Sequence, residues 1–245
     1  MKRIDSINNN YIKELAKLKI KKYRDIEKKF LIEGYHLIEE AKGNLIEVLI
    51  VEEKDKVEGV NNILVTKDII KRLAFSDSPQ MIIGVCNYFN IEDSYNCNRV
   101  LLLDNLQDPG NIGTLIRSSL GFGIDLVVLS NNSVDLYNDK LIRSSQGAIF
   151  KVKVIQKDIK DEILSLKERE IKVFGTSLKN GKNLTSFGSF NSYGLVLGNE
   201  GNGVSKEILD ITDENIFIEM DRNLESLNVG VSGAIIMHYF YSKVS

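Results

Sequence analysis

The chain has little of what builds metal centres or cross-links. Its 245 residues hold two cysteines and two histidines. Cys86, Cys97, His36 and His238 stand isolated, so neither a zinc-ligand spacing nor a disulfide framework is present and no metal is expected. Long apolar runs are missing too. No stretch reaches the ~18 consecutive apolar residues that span a bilayer. The start, Met1-Lys2-Arg3-Ile4-Asp5, lacks the apolar stretch of a secretory signal. A soluble cytoplasmic protein without a membrane partner is the expectation.

Apolar residues make up 43% of the chain. That is enough to bury a core in one large or two small domains. The net charge of −2 argues against a generic nucleic-acid binder, but the charge is uneven. Residues 1–30 carry ten Lys or Arg (Lys2, Arg3, Lys13, Lys17, Lys19, Lys21, Lys22, Arg24, Lys28 and Lys29) against four acids, a local +6. A basic arm, residues 1–29, on an acidic body suits a protein that grips phosphates locally. An ordinary solvated helix is the other reading, since Ile12, Leu15, Ala16, Tyr23 and Ile26 keep helical spacing and would dock on the body.

Residues 30–86 read as a small α/β module. Strands are expected at 30–32, 45–51 and 81–86, and helices at 35–41 and 67–75, the latter capped by Thr66. The Asn-rich stretch 87–98 loses periodicity and reads as a linker. From residue 99 to 245 near-continuous apolar strands (100–103, 126–129, 152–155, 171–174 and 195–197) alternate with helices (112–120, 158–167, 205–209 and 227–241). This pattern gives a parallel α/β sheet.

Three motifs fall where strands should end and helices begin, the position at which open α/β sheets bind ligands. In Asp108-Pro109-Gly110-Asn111-Ile112-Gly113, Asp108 is an N-cap and Pro109 suits the first turn. Ile112, Leu115, Ile116 and Leu120 form the expected core stripe, leaving Asn111, Thr114, Arg117 and Ser118 on the open face. The glycines would let a large ligand approach Arg117, whose planar fork suits phosphate, and the helix's first amides. The second motif, Leu197-Gly198-Asn199-Glu200-Gly201-Asn202-Gly203, is neither a Walker loop nor a dinucleotide fingerprint. The third, Ile218-Glu219-Met220 and then Ser226-Leu227-Asn228, enters a helix apolar nearly all round, to be buried in the core or in a subunit interface. Taken singly, a capped surface helix, a glycine turn and a core helix would explain them.

In this order the three motifs resemble the SpoU (TrmH-type) RNA ribose 2′-O-methyltransferases of the SPOUT superfamily, with residues 30–86 similar to the family's ribosomal-protein-like RNA-binding domain. The resemblance implies a SPOUT domain with a deep trefoil knot, S-adenosylmethionine bound by the knotted loops, and a site completed across a homodimer. It implies catalytic roles for Asn111, Arg117, Glu200, Ser226 and Asn228, and cofactor contacts from Thr176, Ser177, Leu197, Gly198, Gly201, Ile218, Met220 and Leu227. Glu219 stands where the family usually has Pro, Arg222 where Gly is usual, and Gly230 where Ser is common. The implied activity is 2′-O-methylation of a ribose in RNA, with large-subunit ribosomal RNA favoured over transfer RNA. A catalytically silent RNA binder of the same fold, or a transferase acting on a base or protein, are the alternatives.

Overall fold

A computed structural model describes residues 1–90, 96–221 and 223–244. They form two compact units. One gathers Met1–Ile91 with Tyr137–Phe150, the other Glu92–Leu136 with Lys151–Ser245. In chain order the first unit holds β1 (Lys2–Ile4), α1 (Asn10–Lys17), α2 (Lys21–Glu27), β2 (Lys29–Glu33), α3 (Tyr35–Glu40), β3 (Leu45–Ile50), β4 (Asn61–Val65), α4 (Lys67–Leu73) and β5 (Ile82–Asn87). After these come β6 (Arg99–Asp104), α5 (Pro109–Gly121), β7 (Leu126–Leu129), α6 (Asp139–Ser144), β8 (Lys153–Gln156), α7 (Ile159–Glu168), β9 (Val173–Thr176) and β10 (Lys182–Asn183). The chain ends with β11 (Tyr193–Gly198), α8 (Lys206–Leu209), β12 (Glu214–Phe217) and α9 (Val229–Val244).

The first unit is a mixed five-stranded sheet, β1-β4-β3-β5-β2. Residues 1–29 are not a separate arm. The strand β1 pairs in parallel with β4, from Lys2 opposite Ile63 to Ile4 opposite Val65. Ile12, Leu15 and Leu18 lie in the same core as Leu31, Leu49, Ile69 and Leu73. A break between α1 and α2 takes Ile26 off the stripe that continuous helical spacing would give, and it is 64% exposed. Thr66 caps α4 as expected, its side chain accepting from the Ile69 amide.

Two other boundaries differ from the sequence reading. Asn87 belongs to β5, and beyond it Tyr88 stacks on Tyr137 with ring centroids 3.6 Å apart. Phe89 donates its amide to the Tyr137 hydroxyl at 2.9 Å. Residues 137–150, expected within the C-terminal domain, therefore pack with the first unit, where the Gln146 carbonyl lies 3.2 Å from His36 Nε2. Within the expected linker 87–98, residues 91–95 are outside the described residues.

The second unit is a seven-stranded, wholly parallel sheet in the order β10-β12-β9-β11-β6-β7-β8. Its inner strands are apolar on both faces, as helices covering a parallel sheet require. Leu101, Leu102, Val127, Val128, Leu195 and Val196 are all fully buried. The helix α5 lies against α9, but its buried stripe is not quite the expected one. Leu120 is 43% exposed, whereas Ser119 is fully buried and donates to Met237 Sδ at 3.7 Å. The reason is rotational: at about 100° per residue, position i+7 returns to the stripe of Ile112 while i+8 overshoots it. Gly113 is likewise buried, so it serves helix packing rather than ligand approach.

Candidate active site

A cavity of about 580 Å³ opens beyond the carboxyl ends of β9, β11 and β12, with α9 closing one side. Its floor is set by backbone geometry. Gly198 ends β11 in register with Asp104 of β6. A Cβ at Gly198 would fall 2.0 Å from Gly203 C and Val204 N, so no other residue allows the following loop to fold back this tightly. The loop is then pinned by Asn199, whose Oδ1 accepts from the amides of Gly201 (3.0 Å) and Asn202 (3.3 Å). Its Nδ2 donates to the Asn105 carbonyl at 2.9 Å. Buried Asp104 holds the loop's far end by accepting from the Ser205 amide at 3.0 Å. Four rigid contacts thus define a concave surface of glycines and amides.

All eight expected cofactor residues line this cavity: Thr176, Ser177, Leu197, Gly198, Gly201, Ile218, Met220 and Leu227. Among the expected catalytic residues Glu200, Ser226 and Asn228 line it as well, while Asn111 and Arg117 do not. Asn111 is joined to the site by hydrogen bonds. Asn228 Nδ2 donates to Asn111 Oδ1 at 2.9 Å, and Asn111 Nδ2 donates to Glu200 Oε1 at 3.1 Å. The Asp108 amide adds a longer bond to the same carboxylate oxygen at 3.4 Å. One polar chain therefore links all three motifs.

The same contacts revise the expectation for the start of α5. The Asn111 amide is taken by the Asp108 cap at 2.8 Å and the Asp108 amide by Glu200, while Pro109 has no N–H to offer. A phosphate would find these two amides taken. Arg117 stands exposed on the open face, as expected, with no hydrogen bond or ion pair among the described residues to Asn111, Glu200, Ser226 or Asn228. The idea that these four orient it is thus not realised in this arrangement. Ser226 is exposed at the cavity wall.

Of the three departures, Glu219 accepts from Asn183 Nδ2 at 2.8 Å, tying the loop after β12 to the end of β10. Gly230 is buried in the first turn of α9, where Asn228 Oδ1 accepts from its amide at 2.9 Å. A Cβ there would come 3.1 Å from that same oxygen. Arg222 lies outside the described residues.

Sequence reasoning missed Lys179, Ser232 and Ile236. The last two follow Asn228 by four and eight positions, so helical periodicity could have found them. Lys179 left no such signal beyond its closeness to Thr176 and Ser177. Among the described residues it is the one cation lining the cavity, as Glu200 is the one acid. Leu197, Val204, Leu209, Ile218 and Ile236 supply apolar wall, and Thr176, Ser177, Ser226, Asn228 and Ser232 supply neutral polar groups. A volume of this size suits a nucleoside-sized ligand, since such sites span roughly 300–1,000 Å³ with apolar walls and a few polar groups. The glycine cradle and this lining fit S-adenosylmethionine.

Comparison with known proteins agrees with the geometry. The SpoU rRNA Methylase family matches residues 98–238, which include every site residue above. The chain belongs to this family. Residues 9–84 match the MRM3-like substrate binding domain, beginning inside the stretch that the charge pattern had set apart as an arm. A relative from Bacillus subtilis, the 23S rRNA (guanosine(2553)-2′-O)-methyltransferase RlmP, is 37% identical over 98% of this chain and 99% of its own. An RNA 2′-O ribose methyltransferase of known structure superposes with a TM-score of 0.86 at 25% identity, covering 99% of both chains. The AdoMet-bound rRNA methyltransferase from Sinorhizobium meliloti shares the fold, with a TM-score of 0.87 at 21% identity over 100% of this chain and 98% of that one.

Proposed function

We propose that this SpoU-family chain methylates the 2′-hydroxyl of a ribose in large-subunit ribosomal RNA, using S-adenosylmethionine as methyl donor. The observation that carries the proposal is the single polar chain from Asn228 through Asn111 to Glu200 at the edge of a glycine-floored cavity. The relationship to RlmP across nearly the whole chain supports the choice of ribosomal RNA. Ribosomal RNA as substrate places the protein in the cytoplasm. Among the described residues no helix is long and apolar enough to cross a membrane, and no group of His, Cys, Asp and Glu is placed to hold a metal ion.

When bound, the cofactor supplies an activated methyl on a cationic sulfur. The protein must then place a ribose oxygen in line with it and help that oxygen shed its proton. Glu200 and Asn228 stand at the cavity wall to fix a sugar hydroxyl, their positions set by Asn111. Arg117, with no hydrogen bond or ion pair among the described residues, stands on the open face, holds a neighbouring phosphate and stabilises charge developing on the oxygen. A guanidinium presents N–H donors and no acceptor, so we assign it this electrostatic role rather than that of a base.

Dimerisation and the trefoil knot belong to the same proposal. The exposed residues Leu120, Val231, Ile235 and Tyr241 form an apolar surface on α5 and α9, and Phe122 packs edge-on against His238 at 5.3 Å beside it. Apolar side chains so grouped are suited to a symmetric subunit contact.

Mapping the product tests the reaction. Total RNA from a strain lacking this protein, incubated with the purified protein and labelled cofactor, should gain label at one alkali-resistant position of the large-subunit ribosomal RNA, because a 2′-O-methyl removes the nucleophile that alkaline cleavage needs. Label on a base would refute ribose methylation. Label in transfer RNA alone would move the substrate, and cofactor binding without any label would leave a silent RNA binder.

A further inference from the structure

The ten cations of residues 1–30 are not equivalent once folded. Arg3 pairs with Asp5 at 2.9 Å, Lys17 with Glu14 at 2.7 Å and Lys21 with Asp25 at 2.8 Å. Arg24 is buried and donates to the Leu18 carbonyl, and Lys19 caps the end of α4 through the carbonyls of Arg72 and Ala74. Lys2 and Lys28 lie over the rings of Tyr11 and Tyr88. Exposed Lys13 and Lys22 have no hydrogen bond, ion pair or ring partner among the described residues.

Beside these two lysines runs an apolar ridge. Ile20, Tyr23 and Ile26 follow one another three residues apart along the outer side of α2, with Ile20 56% and Ile26 64% exposed and Tyr23 half-buried. Lys22 is one turn from Ile26. Lys13 is one turn from Lys17, whose Nζ stands 5.7 Å from the centre of the Tyr23 ring. The two helices thus present one continuous strip in which cations flank a ring and two aliphatic side chains. Glu14 and Asp25 are neutralised by their lysines, leaving Glu27 as the exposed acid nearby.

Charge of this kind with an aromatic floor matches an unpaired nucleic-acid strand, whose phosphates need cations and whose bases offer flat faces. A duplex hides those faces. Resting on the reading that RNA is the substrate, we propose that the outer side of α1 and α2 binds a single-stranded segment of that RNA. Lys13 and Lys22 hold phosphates, and a base stacks on Tyr23 between Ile20 and Ile26.

Deleting the segment cannot test this, since β1 and the buried face of α1 belong to the unit's sheet and core. Point variants of the full chain can. The measurement is fluorescence anisotropy with a labelled single-stranded RNA and with the duplex made from it, over a range of salt. Lys13→Ala with Lys22→Ala should reduce the salt slope for the single strand by about 1.4, two contacts at about 0.7 each. Tyr23→Ala should weaken the single strand roughly fivefold or more and barely change the duplex, with Tyr23→Phe restoring affinity. Ile26→Ser, at a solvated position, repeats the test without touching the core. Wild-type affinity and slope in every variant would overturn the proposal. So would Ile26→Ser dissociating a dimer with RNA affinity intact, which would give the ridge to a second copy of the chain. A wild-type protein that binds neither RNA would overturn both this proposal and the reading on which it rests.

Discussion

Asn228 and Asn111, 117 positions apart in sequence, share a hydrogen bond of 2.9 Å from Nδ2 to Oδ1. The bond fixes the orientation of both amides. With its oxygen occupied, Asn111 turns its NH₂ toward Glu200, and Asn228 Oδ1 is left to accept from the first amides of α9. The Asn111 side chain therefore serves two partners and that of Asn228 three, so the start of α5, the loop after β11 and the start of α9 are fixed together.

Arg117 stands outside this chain of bonds and outside the cavity wall, which separates its contribution from cofactor binding. Arg117→Ala should retain cofactor affinity by calorimetry while single-turnover methyl transfer falls on the order of 10²–10³-fold, the usual loss when a preorganised electrostatic donor is removed. Near-normal turnover would end its catalytic role.

Gly198→Ala should have the opposite profile. The added methyl would lie 2.0 Å from the backbone of Gly203 and Val204, and backbone cannot yield as a flexible side-chain tip can. The loop that floors the cavity must move. Thermal unfolding should show a loss of about 1–3 kcal/mol, typical of overpacking, together with weakened cofactor binding. An unchanged cofactor affinity would mean that the loop is not part of that site.

These residues were legible because glycines and caps at strand ends are local signals. Asp108, Pro109 and Thr66 act in the structure as their residue types foretell. Less legible were β1, β4 and β12, each short, with one, three and two strongly apolar residues respectively beside polar ones. They are strands because β4 lies between β1 and β3 and β12 between β10 and β9, a tertiary circumstance that overrides weak local preference. The helix α6 was missed for a similar reason. Its buried Leu141 and Ile142 form only a two-residue apolar patch in sequence. Arg117, by contrast, was assigned partners that the fold does not give it, since spacing identifies a helix face and says nothing of how far a side chain stands from another loop.

The apolar surface of α9 invites a direct test. Val231 and Ile235 lie one turn apart and are 47% and 39% exposed, whereas Ile236 and Met237 beside them are buried. Ile235→Asp should therefore leave the fold intact and split the proposed dimer. Light scattering at micromolar concentration should give twice the chain mass for the wild type and the single mass for the variant. A monomeric wild type would remove the dimer from the proposal.

Glu47 offers a test by pH. It lies on β3, 7% exposed, accepting one hydrogen bond from Asn61 Nδ2 at 3.3 Å, and Lys2 is the cation acting on it. Burial raises its pKa above the ordinary value of 4.5, and the opposing pull of Asn61 and Lys2 does not cancel this. The sign of the effect follows by linkage. When the folded-state pKa is the higher one, the folded protein binds the proton more tightly, so the full contribution to stability is present below the unfolded value. It is lost as pH rises from about 4.5 through the raised folded value. Glu47→Gln removes the buried charge while keeping the shape and the bond from Asn61. The variant should match the wild type in melting temperature at low pH and exceed it at neutral pH, the gap opening across that window. A gap that stayed constant with pH would show that Glu47 ionises in the folded protein as it does in the unfolded chain.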